Sequence, residues 1–184
     1  MILPLTLAAL AGVVGWTLTE YTLHRFLFHA KKAHTEGARE HLQHHKDINH
    51  FTSTAFKIRT AAMVVPIVGS IGVWLLGVPI AGTFTAAFVG TYLAYEWFHR
   101  RLHVQGPSTR FGRWARMHHF GHHFHSPHLN HGVTVPGWDK VFGSYEERAQ
   151  IVIPNRQTIP WLMDPETGEI RTEFARDYIL RQTQ

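Results

Sequence analysis

The sequence predicts an all-α integral membrane protein: a bundle of about three spans, with histidine-rich helical segments gathered on one side of the membrane. Three observations predict it. All 18 Lys and Arg residues fall within 24–59 or 100–184, so 1–23 and 60–98 carry no basic charge. Those two stretches are long and apolar. Histidine, 16 of 184 residues, clusters just beyond them. The mean hydropathy of −0.13 would suit a soluble chain, but it averages over segments of opposite character.

The first stretch, "MILPLTLAALAGVVGWTLTEYTL", holds one span at about 2–23, since a crossing helix needs about 20 mostly apolar residues. It lacks the basic start of a signal peptide, and its apolar run has no polar break after a cleavage site. The second stretch is long enough for two spans, at about 60–77 and 80–98, with Gly77-Val78-Pro79 as the turn. Gly69, Gly72, Gly82 and Gly90 read as sites of close helix packing, ahead of leaving room for a lipid chain between the spans. Between the stretches, "GAREHLQHHKD" reads as a helix. After them, "GPSTRFGRWARMHHFGHH" reads as a helix capped by Ser108 or Thr109. Its Phe111 and Trp114 with Arg110, Arg113 and Arg116 suit either a membrane-interface helix or an amphipathic helix packed on its neighbours. From Ser144 the chain is mixed, with "IVIPNRQTIPWLMDPETGEI" extended and "IRTEFARDYILRQ" a short helix. Packing on the surface is the simplest role for this tail, ahead of capping a site or docking a partner.

The whole chain, 1–184, reads as one domain. With no cysteine, disulfides, thiolate metal sites and thiol catalysis are excluded. The pI of 9.8 reads as charge at a membrane surface, because no pattern of interleaved aromatic and basic residues points to nucleic acid. By the positive-inside rule the N-terminus is outside, and 24–59 and 99–184 are cytoplasmic.

Four histidine boxes carry the chemistry: "HRFLFH" (His24, His29), "HLQHH" (His41, His44, His45), "HRRLH" (His99, His103) and "HFGHH" (His119, His122, His123). On a helix, positions i, i+3 and i+4 share a face, so each HxxHH triplet aims three imidazoles one way, and His99 and His103 coincide. His24 and His29 are about 140° apart on a regular helix; they reach one site only if the turn between them widens, and otherwise they approach different metals. Imidazoles suit iron, zinc, copper and nickel. Ten neutral donors exceed the capacity of one ion, so two ions with about five histidines each are expected. The frame favours His119 in the last box; His118 reads as a supporting residue, although it lies one turn before His122 and would be the ligand if the frame shifted. His125, His128 and His131 follow the box and read as supporting residues. Glu20 and Glu96, the charged residues inside the presumed spans, read as acceptors for the second ring N–H of ligating histidines, which fixes tautomer and orientation. Pairing with Arg25 or Arg100 is their other reading.

In this order, and followed by "GVTVPGWDKVFGS", the boxes resemble the fatty acid hydroxylase/sterol desaturase superfamily of membrane di-iron enzymes, over roughly 20–144. The resemblance implies an all-α membrane bundle with a cytosolic helical cap holding a dimetal site, and the ten box histidines as its ligands. Asp139, in "WDK", is implied as a supporting residue near the cap. Also implied are two iron ions, replaceable by zinc in recombinant protein, with O2 as co-substrate. The reaction would be hydroxylation or desaturation of a lipid such as a fatty acyl chain or sterol. Electrons would come from a separate donor, a cytochrome or a ferredoxin with its reductase. A carotenoid ring hydroxylase is the alternative substrate reading. A membrane metal carrier or sensor, or a bis-histidine haem protein, are the rivals of other classes. Histidines at the ends of spans rather than at mid-membrane, and in triplets rather than opposed singles, disfavour both.

Overall fold

A computed structural model describes residues 2–30, 34–157 and 159–181. Its helices are α1 (Ile2–Thr22), α2 (Glu36–Lys46), α3 (Thr54–Leu76), α4 (Val78–Val104), α5 (Arg110–Phe120) and the short α6 (Gly137–Val141). Two strands, β1 (Ile151–Ile153) and β2 (Tyr178–Leu180), pair in parallel with Ile151 opposite Tyr178. Two π-helical turns, Leu23–Phe28 and Gly121–His125, extend α1 and α5.

Among the described residues, three helical stretches are long and apolar enough to cross a membrane: Ile2–Phe28, Thr54–Leu76 and Val78–Val104. The second begins six residues before the expected 60, because Ser53 caps it by accepting from the Phe56 N–H. The third runs beyond the expected 98, carrying His99 and His103 on the same helix.

The chain divides into two compact units, Met1–Glu20 with Thr52–Trp97, and Tyr21–Phe51 with Phe98–Gln184. In the first unit, α1 meets α4 at Gly12, where an added Cβ would lie 2.5 Å from the Phe84 carbonyl oxygen. A small residue is required for that approach. Trp16 packs against Phe88, Tyr92 and Tyr95 one to two turns on. The expected packing glycines behave differently. Cβ atoms at Gly69, Gly82 and Gly90 would meet nothing within 4 Å, and Gly72 alone of the four faces a neighbour, Ala81.

The second unit holds a core of Ile48, Phe120, Ile151, Ile153, Ile159, Leu162 and Tyr178. Five of these seven come from the tail, which is therefore core rather than surface packing. The helix expected over 170–182 does not form among the described residues, which end at 181. Thr172–Phe174 makes a single 3-10 turn, and Tyr178–Leu180 pairs with β1. Pairing with β1 buries Tyr178 to 1% exposure, and this tertiary gain outweighs local helix propensity.

Candidate metal centre

The ten box histidines all lie in the second unit and form two clusters. His24, His29, His41, His45 and His122 form the first; His44, His99, His103, His119 and His123 form the second. Within each, one nitrogen per ring lies within 4.8 Å of all the others. The clusters adjoin, with the His45 and His123 rings stacked at 4.2 Å.

Backbone pitch explains the sorting. In α2, His41 and His45 are four apart and share the first cluster, while His44 points into the second. In the last box, His119 and His123 share the second and His122 points into the first. Adjacent helical residues diverge by about 100°, so each triplet divides between the clusters instead of serving one, as its spacing had implied. His99 and His103, again four apart, stay together. His24 and His29 meet in the first cluster because Leu23–Phe28 is wound as a π turn, the widened turn that their spacing of five requires.

Three histidines reveal their protonation. His24 Nδ1 lies 2.5 Å from the His131 carbonyl oxygen, His122 Nδ1 2.7 Å from that of Leu129, and His44 Nδ1 2.7 Å from that of His50. A carbonyl has no proton to give, so each Nδ1 donates and each Nε2 of the neutral ring carries a lone pair. In the first cluster, Nε2 atoms follow one another around a closed circuit: His29 to His41 2.9 Å, His41 to His45 3.0 Å, His45 to His122 3.1 Å, and His122 to His29 3.0 Å. Four donors at the corners of a square with such an edge lie about 2.1 Å from its centre, the length of a bond from imidazole nitrogen to a divalent metal. His24 Nε2, buried and without a hydrogen-bond partner, is the fifth. In the second cluster His103 Nε2 is the hub, 3.2 Å from His44 Nε2, 3.1 Å from His99 Nε2 and 2.7 Å from His119 Nε2. Two buried sets of five converging ring nitrogens, with His24, His122 and His44 fixed as Nε2 lone pairs, are a donor set that fits a metal in each cluster.

Burial also keeps the rings neutral. It pushes His29 and His44 down to about 4, and His45 down to about 2 with help from His29 and His44. His41, His119, His122 and His123 are lowered by burial first and neighbouring imidazoles second.

The groups around the clusters are main-chain carbonyls as well as side chains. The second ring N–H of His24 goes to the His131 carbonyl, not to Glu20, which is buried in the other compact unit. Glu96 pairs with Lys57, a partner brought into reach by the early start of α3. The orienting acceptors are backbone carbonyls, which carry no side-chain signal in a sequence. Asp139, fully buried, holds the loop that supplies two of them. Its carboxylate accepts from the His131 N–H, the Gly132 N–H and the Ser144 hydroxyl, each at 2.8 Å. A Cβ at Gly132 would lie 2.3 Å from the Val135 carbonyl oxygen and 2.9 Å from Asp139, so the turn needs glycine. Asn130, in the left-handed region at φ 57°, brackets the same loop, exchanging hydrogen bonds with the Glu146 backbone. Burial alone would raise the Asp139 carboxyl, but bonds from His118, His131, Gly132 and Ser144 outweigh it and hold the carboxyl well below the usual carboxylate range. His118 joins neither cluster. It stacks between Trp114 and Tyr145, with Nε2 3.4 Å from Asp139. His125 and His128 are exposed.

The fatty acid hydroxylase family model matches residues 9–144. The chain belongs to that family. Relatives include dihydroceramide fatty acyl 2-hydroxylase FAH2 of Arabidopsis thaliana, 36% identical over 143 residues, covering 72% of this chain and 58% of that protein. Fatty acid 2-hydroxylase of Homo sapiens is 28% identical over 71% of this chain and 37% of its own length. Ceramide very long chain fatty acid hydroxylase SCS7 of Saccharomyces cerevisiae is 31% identical over 73% of this chain and 36% of its own. The chain thus spans a third to three fifths of these relatives. Among solved structures, full-length scs7p, of which the hydroxylase domain is visible, is similar with a TM-score of 0.61 and 28% identity. That likeness covers 79% of this chain and 57% of that one.

Proposed function

We propose that this protein is a membrane di-iron oxygenase that hydroxylates a C–H bond in the fatty acyl chain of a lipid, taking electrons from a separate donor protein. The observation that carries the reading is the pair of five-histidine clusters whose ring nitrogens converge, in a chain of the fatty acid hydroxylase family. Bound iron would supply the oxidising chemistry, activating O2 against an unactivated C–H bond.

This chain's own residues do the rest. The ten box histidines hold the ions as neutral donors. The carbonyls of Leu129, His131 and His50 hold three of those rings in the tautomer that leaves Nε2 free. Asp139 fixes the carbonyl-bearing loop, with His118 packed behind it. Burial keeps water away from the clusters and protons off the rings. The three spans seat the protein in the bilayer, and the distribution of basic residues favours an outside N-terminus and a cytoplasmic metal centre and C-terminus. The relatives named above are fatty acid and ceramide hydroxylases, which does not favour the carotenoid reading.

The test combines metal analysis with lipid profiling. The purified chain should carry two irons, or two zinc ions when iron is scarce, since imidazoles accept both. Lipid extracts from cells expressing it should contain fatty acyl species heavier by one oxygen. Haem absorbance, or turnover by a metal-free preparation, would overturn the reading; a loss of two hydrogens would replace hydroxylation by desaturation.

A further inference from the structure

The segment from Tyr145 on lies beyond the family match, yet its polar groups reach the backbone that carries the second histidine cluster. Buried Gln157 grips the end of α2 with both ends of its amide. Nε2 donates to the Lys46 carbonyl at 2.9 Å, and Oε1 accepts from the Ile48 N–H at 3.2 Å. That turn continues to His50, whose carbonyl orients His44. Trp161 Nε1 donates to the carbonyl of His103, the hub of the same cluster, at 2.8 Å. Arg116 lies over the Trp161 ring and donates to the carbonyls of Arg101 and Gln105, two residues to either side of His103. Trp161 stacks on Phe120, next to His119, and meets Phe174 and Tyr178 in T-shaped pairs. The first cluster is held differently, through the carbonyls of Leu129 and His131 on the loop that Asp139 and Asn130 fix.

We propose that Gln157 and Trp161 are positioning residues for the His44/His99/His103/His119/His123 cluster, so that these two residues set the affinity of one metal position and not of the other. The proposal rests on the metal-centre reading above. Backbone carbonyls gripped from outside set where ligating rings can stand, and groups acting on ligands in this way typically change metal affinity 10- to 100-fold.

The experiment uses the full chain in detergent, loaded with zinc and titrated with a competing chelator while metal per chain is measured. Trp161→Phe keeps the ring and removes the N–H; Gln157→Met keeps the length and removes both bonds. In each variant one of the two zinc ions should be released at about 10- to 100-fold lower chelator concentration, with the other unmoved. Repeating Trp161→Phe in two backgrounds assigns the position. With His122→Ala the weakening should persist, and with His103→Ala, which removes the ligand whose carbonyl Trp161 holds, it should vanish. Should Trp161→Phe fail to fold, Gln157→Met decides alone. Two ions released as in the parent, with a lowered unfolding temperature as the sole change, or an equal shift of both ions, would overturn the proposal and leave the metal reading standing. A parent chain that binds no zinc and no iron would overturn both.

Discussion

Replacing Asp139 by Asn tests the claim that a buried carboxylate, rather than packing, holds the loop behind the first cluster. One oxygen of Asp139 accepts from the His131 N–H and the Ser144 hydroxyl, the other from the Gly132 N–H. An Asn side chain has one oxygen. In its best orientation it keeps the first pair as neutral bonds and turns an NH2 group toward the Gly132 N–H. One bond to a charged acceptor is lost, about 1.5–3 kcal/mol, and two are weakened. The long contact from His118 Nε2, 3.4 Å from the same carboxylate oxygen, is lost with it. The expected loss is about 2–4 kcal/mol, a large share of a typical folding free energy. Equilibrium unfolding of the detergent-solubilised metal-free chain measures it. The sign with pH adds a second check. Because the folded carboxyl sits below its ordinary value, its stabilisation is present above about pH 4 and is lost as pH falls through the folded value. The gap between parent and Asp139→Asn should therefore narrow in acid. A loss under about 1 kcal/mol at neutral pH, or a gap that widens on acidification, would refute the reasoning.

The clusters themselves make the metal-free protein acid-sensitive. Burial places His29 and His44 at about 4 and His45 at about 2, so between about pH 6.5 and 4 protons bind the unfolded chain and not the folded one, and each such histidine removes up to about 1.4 kcal/mol per pH unit. Thermal unfolding across that range should show a steep fall without metal and a shallower one with it. His44→Ala and His122→Ala, one from each cluster, should each abolish lipid hydroxylation while the protein still inserts in membranes; full activity in either would remove that residue from the metal centre.

The three long helices were legible because lipid imposes a simple rule, a run of apolar residues without basic charge. The four boxes were legible because clustered imidazoles are side chains, written in the sequence itself. The π turn after α1 could be anticipated from a spacing of five, which a regular helix cannot serve. Other features escaped because they are tertiary. Which histidine of each triplet crosses to the neighbouring cluster depends on where α2 and α5 meet. The orienting acceptors are main-chain carbonyls of Leu129, His131 and His50, and any residue type can provide one. The strand at 178–180 exists because 151–153 lies beside it, and the apolar spacing of Phe174, Ile179 and Leu180 read alone mimics a helix. The pairing of Glu96 with Lys57 was not foreseen because the start of α3, and with it the reach of Lys57, lay six residues earlier than hydropathy placed it.

The exchange of one imidazole between the triplets has a mechanical consequence. Each of the two three-histidine segments hooks through the other's cluster, as His44 and His122 do, so neither cluster closes until both segments are seated. The separation between the two centres is then measured by the rise of a helix, about 1.5 Å per residue, rather than by the length of any loop. Loops elsewhere in the chain can lengthen or shorten without moving this gauge, whereas one residue inserted between His41 and His45 would open both centres at once.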